Sequence, residues 1–213
     1  MTINPDIVSY IEKEIIPRYD SFDAAHRRDH VAMVIKQSLE IAGHLDVNPD
    51  MVYVISAYHD TGLCDGRELH HEVSAQIIKA DENLRKWFTE EQIQTMADAA
   101  EEQIQTMADA AEDHRASAKH EPRTVYGRIV AEADRFIAPE TIVRRTIQYG
   151  LDHYPELSKE RQYERMMQHL HEKYGRNGYL KLWFPESPNT ARLEKLRQMI
   201  EEEDGIREIF ETM

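Results

Sequence analysis

Val52-Tyr53-Val54-Ile55-Ser56-Ala57-Tyr58-His59-Asp60-Thr61-Gly62 is an apolar run that ends on a histidine–aspartate pair and a glycine. The run reads as a buried helix, opened by the cap-and-proline signal Asn48-Pro49-Asp50. Burying an imidazole and a carboxylate at its end is costly unless something binds them. A divalent metal answers that cost, since neutral imidazole and carboxylate are both good ligands. Taken alone, a His-Asp dipeptide reads equally as a core histidine beside a helix-terminal aspartate. The other histidines decide between the two.

Upstream, Asn4-Pro5-Asp6 starts a first helix carrying Ile7, Val8, Ile11 and Ile15 at helical spacing, with Pro17 expected to end it. A second helix is expected over Asp23 to Ala42, stopped by Gly43, with Val31, Val34, Ser38 and Ile41 on one face. Downstream, Gly62 to Glu68 is a loop and a helix starts near His70. Thr89 with Gln92 forms a capping-box pattern for the next one. That helix contains a tandem duplication, EEQIQTMADAA at Glu90–Ala100 and again at Glu101–Ala111. Two copies are too few for a solenoid, and the repeated apolar face predicts one lengthened helix. Thr124 to Arg135 is helical with Val125, Ile129, Val130 and Ala133 as its core face, and three or four helical stretches follow Pro139. No run alternates as a strand does. The fold class is all-α, a single domain over 1–213.

His30, His59, Asp60 and Asp134 each sit at or inside a separate helical stretch except for the adjacent pair, and each has apolar neighbours. Inward-pointing ligands carried on several packed helices are how helical bundles build metal sites. His70, His71 and His114 are further candidates, and His26 lies one turn before His30. His44 reads as a helix-end dipole partner, and His120, His153, His169 and His171 as solvated. Tyr179 to Phe184 reads as core and Cys64 as inert.

The order His30, His59-Asp60, Asp134, set in His26-Arg27-Arg28-Asp29-His30-Val31, Ala57-Tyr58-His59-Asp60-Thr61-Gly62 and Ala131-Glu132-Ala133-Asp134-Arg135, resembles the metal-binding signature of the HD-domain phosphohydrolase superfamily. His70-His71-Glu72-Val73-Ser74-Ala75 is similar to the segment of binuclear members in which His70, not His71, takes the ligand place, and His114 resembles the later ligand histidine. The resemblance implies an HD-like helical bundle with its core at about 20–140 and a C-terminal helical extension at about 141–213, holding one or two divalent ions, with Mn, Fe, Zn, Ni, Co and Mg not distinguished. It implies hydrolysis of a nucleotide or other small phosphate ester by metal-activated water. Asp60 would be the catalytic carboxylate, orienting water or bridging two metals. His30, His59 and Asp134 would complete the first metal's ligands, and His70 with His114 would hold the second. Arg67 and Arg115, in loops beside these residues, are candidate phosphate clamps. The same resemblance extends to di-iron HD-type oxygenases and to catalytically silent metal-containing sensor or binding modules. Two departures stand out: the duplication lengthens the path from His70 to His114, and the Gly-Tyr-Pro signature of cyclic-dinucleotide members is absent.

Composition bounds the partners. A net charge of −14 over 213 residues disfavours long nucleic acid. The single cysteine excludes an internal disulfide, no apolar run nears the ~18 residues of a membrane span, and the N-terminal stretch has no signal-peptide pattern. The expectation is a cytoplasmic protein acting on a small-molecule phosphate ester, without a membrane partner, and compatible with a homodimer.

Overall fold

The computed structural model describes residues 2–22, 26–66, 68–101 and 122–213. These residues contain helices and no strand. The chain parts into two compact units, Met1–Arg135 and Phe136–Met213.

In the first unit, α1 (Pro5–Tyr10) starts where the Asn4 side chain accepts the Asp6 amide proton at 3.0 Å. Pro17 does not end this segment. The chain instead passes through a π-helical turn, Ile11–Ile15, into a 3-10 stretch, Ile16–Ser21. A proline has no amide to donate and its ring crowds the carbonyl four residues back, so the winding changes before it. Ile7, Ile11, Ile15, Ile16 and Tyr19 are nevertheless all buried.

Helix α2 runs Arg28–Ala42, shorter than the expected Asp23 start, because Arg27 is extended at φ −86° and ψ −178°. Its buried face includes Val31, Val34, Ser38 and Ile41, and Gly43 caps it as expected. In α3 (Pro49–Tyr58), Asn48 caps the first turn and every residue from Met51 to Tyr58 is buried. A 3-10 turn, Thr61–Asp65, follows and ends at Gly66, whose φ of 103° and ψ of 174° lie in an extended positive-φ region open essentially to glycine; the next helix is α4 (His70–Ala80).

Helix α5 (Glu90–Glu101) opens with the reciprocal capping box: Gln92 Oε1 accepts from the Thr89 amide at 2.9 Å, and Thr89 Oγ1 from the Gln92 amide at 3.3 Å. It carries the first copy of the repeat, with Ile93, Met96, Ala97 and Ala100 buried. The second copy beyond Glu101 lies outside the described residues. Helix α6 (Val125–Asp134) is capped by Thr124 and buries Ile129, Val130 and Ala133. Val125, expected on that face, is instead 38% exposed at the first position of α6.

The second unit holds α7 (Pro139–His153), α8 (Lys159–Tyr174), α9 (Pro188–Glu202) and α10 (Asp204–Glu211) around its own core, including Val143, Met166, Leu170, Leu196 and Phe210. Of the aromatic segment, Phe184 is buried whereas Tyr179 is 44% exposed, so only part of it is core.

Candidate metal centre

Three helix ends in the first unit converge. His30 stands in the first turn of α2, His59 and Asp60 follow the last turn of α3, and Asp134 closes α6. His30 Nε2 lies 3.1 Å from Asp134 Oδ1 and 3.3 Å from Asp60 Oδ2. His59 Nε2 lies 3.0 Å from Asp60 Oδ2 and 3.8 Å from Asp134 Oδ1. The two imidazole Nε2 atoms face each other at 3.2 Å. One ligand atom from each of His30, His59 and Asp60 falls within 4.8 Å of the others, so these three could hold a divalent ion.

Local bonding aims these atoms inward. His59 Nδ1 is 2.8 Å from the Ser56 carbonyl, which can only accept, so Nδ1 carries the proton and Nε2 presents its lone pair. Asp60 Oδ2 is buried and has no partner with hydrogen-bond geometry, although two imidazoles lie beside it. Ligand atoms from two imidazoles and two carboxylates crowd one shared space, and the buried Asp60 Oδ2 among them has no aligned donor, which suits a cation.

The electrostatics agree. Burial disfavours the His30 cation, but Asp134 and Asp60 outweigh it and push the pKa up to about 10. His59 is raised as well: burial opposes its charge, and the Asp60 and Asp134 carboxylates overcome that. For Asp60, burial works against ionisation, yet His59 and His30 hold its carboxyl well below the usual carboxylate range. The cluster is an acidic pocket that binds a proton tightly when nothing else is there, and the same field attracts a metal cation.

On the other side of Asp60, Oδ1 lies 3.7 Å from His70 Nε2. The two carboxylate oxygens of Asp60 thus face different imidazoles. His70 reaches this place because α4 packs directly on Gly62. A Cβ at Gly62 would overlap the His70 carbonyl and stand 2.7 Å from the Ser74 nitrogen. Ser74 Oγ locks the joint, accepting from the Gly62 amide and donating to the His59 carbonyl, both at 2.9 Å.

His71 packs edge-on against His70 and is buried, and burial together with His70 lowers its pKa to about 4. His26 is buried with its ring edge-on to His30, the centroids 5.7 Å apart. His114, Arg67 and Arg115 lie outside the described residues. Tyr19 touches the centre and has no signal in the sequence, where it is one more aromatic at helical spacing. Its ring lies 6.4 Å from that of His59, and its hydroxyl bonds the segment carrying the ligands.

The HD domain family model matches residues 27–138, more than half of the chain. The chain therefore belongs to the HD-domain family, part of the metal-dependent phosphohydrolase superfamily. No curated protein and no solved structure gives a significant match.

Proposed function

We propose that this protein is a metal-dependent phosphohydrolase that acts on a nucleotide or another small phosphate ester. The observation that carries the reading is the buried Asp60 Oδ2, unpartnered by any donor and flanked by two inward-facing Nε2 atoms. His30, His59, Asp60 and Asp134 would hold the ion. Bound there, a divalent ion lowers the pKa of a water toward neutrality and neutralises charge on phosphoryl oxygens.

The protein's own groups supply orientation. His59 is fixed in one tautomer by Ser56, and Asp60 offers its second oxygen toward His70. That second oxygen supports Asp60 as a bridge to a second ion, with His70 and His114 as its imidazoles, or as the acceptor that orients the attacking water. Arg67 and Arg115 are proposed as phosphate clamps on the strength of their sequence positions. The net charge of −14 supports a small substrate over a long polyanion. Among the described residues no helix is long and apolar enough to cross a membrane.

The test is phosphate release across a panel of nucleoside mono-, di- and triphosphates and simple sugar phosphates, with protein stripped by chelator and reloaded with Mn, Co, Ni, Zn or Mg. Release restored by reloading, and absent in Asp60→Ala, supports the reading. Release that survives stripping overturns it.

A further inference from the structure

The end of α3 poses a bonding problem. In a continuing helix the Ser56 carbonyl would be offered to the Asp60 amide, but here it lies against His59 Nδ1. The Asp60 amide then falls to the Tyr19 hydroxyl at 3.4 Å, while that hydroxyl donates to the Ala57 carbonyl at 2.9 Å. One oxygen from the 3-10 stretch Ile16–Ser21 therefore closes the turn that carries both ligands. The Tyr19 ring is fully buried and is held by Phe22, whose ring lies edge-on at 5.3 Å. The preceding π turn, Ile11–Ile15, shifts the phase of the residues after it and so contributes to bringing Tyr19 under this turn.

We propose that Tyr19 is a positioning residue for the metal centre, its hydroxyl holding the His59–Asp60 turn so that His59 Nε2 and Asp60 Oδ2 converge. This inference rests on the metal-centre reading above. The ring alone fills the space; the hydroxyl alone satisfies the Asp60 amide and the Ala57 carbonyl together. Without it, the backbone at Asp60 must turn to find another acceptor, and the carboxylate moves with it. Supporting partners of metal ligands typically change affinity by about 10- to 100-fold when removed.

Tyr58 provides a matched comparison. It is also fully buried and ends α3 beside His59, but its hydroxyl donates to Asp81 Oδ2 at 2.5 Å, away from the Asp60 amide. The experiment titrates Co²⁺ into chelator-treated wild-type, Tyr19→Phe and Tyr58→Phe proteins, reading dissociation constant, visible absorption and melting temperature of the metal-free form. Trimethylamine N-oxide added to all samples keeps a weakened variant folded. The expected result is affinity about tenfold weaker and a changed visible spectrum for Tyr19→Phe, with wild-type affinity and spectrum for Tyr58→Phe. Wild-type affinity in Tyr19→Phe overturns the inference. So does an equal loss in both variants that follows their melting temperatures. A wild-type protein that takes up no Co²⁺ overturns the metal reading itself, and this inference with it.

Discussion

Asp60 is the residue on which the centre turns, because its two oxygens face different imidazoles and it is almost wholly buried. Proton and metal compete for the same lone pairs here, and the sign of that competition is fixed by His30. Its pKa is raised from 6.5 to about 10, so in metal-free protein its contribution to stability is fully present below pH 6.5 and is lost as the pH climbs through about 10. Metal-free protein should therefore lose on the order of a few kcal/mol from this group between those limits. A bound cation replaces the proton, so the gain in melting temperature on metal loading should grow with pH across the same window. Thermal melts of stripped and loaded protein at neutral pH and near pH 9 check this; a metal-induced gain that shrinks as pH rises contradicts it. That His30, the His59-Asp60 pair and Asp134 stand close together was legible in the sequence from their apolar neighbours together with their order, which resembles the HD signature. Tyr19 was not, since a hydroxyl that reaches the backbone 41 residues away leaves no local pattern.

At the scale of elements, the joint between α3 and α4 decides where His70 stands. Gly62 has no room for a side chain against the first turn of α4, and Ser74 bonds both sides of the contact. Gly62→Ala must push α4 away, at a cost of about 1–3 kcal/mol or more, and should move His70 from Asp60. Circular dichroism melts with metal titration would show a lower melting temperature and weaker binding; a variant unchanged in both would show that the joint is not set by this contact. Helix starts were readable where caps announce them, at Asn4, Asn48, Thr89 and Thr124. The start of α2 was not, because Arg27 is extended without a side-chain cap. Pro17 was read as an end, but burial of Ile15, Ile16 and Tyr19 keeps the chain winding through it.

For the whole molecule, the centre lies in Met1–Arg135, while Phe136–Met213 builds a separate hydrophobic core. The sequence marked three or four helical stretches after Pro139. It did not say which faces meet, because the same apolar stripe serves either core. Leu196 is fully buried in the second unit, and Leu196→Ala should cost about 2–5 kcal/mol of that unit's stability. Metal stoichiometry should remain that of the wild type, as all of the described ligand candidates belong to the first unit. Calorimetry alongside metal analysis separates the two; loss of metal in this variant would tie the centre to the second core.

The central claim is that His30, His59, Asp60 and Asp134 together hold a divalent ion. The most direct measurement is metal per chain, by mass spectrometry of the elements, in wild type and Asp60→Ala purified without chelator and then equilibrated with Mn²⁺. The account predicts at least about one ion per wild-type chain and close to none in the variant, with the helical signal of both alike. Equal metal content in the two proteins, or none in either, would contradict it.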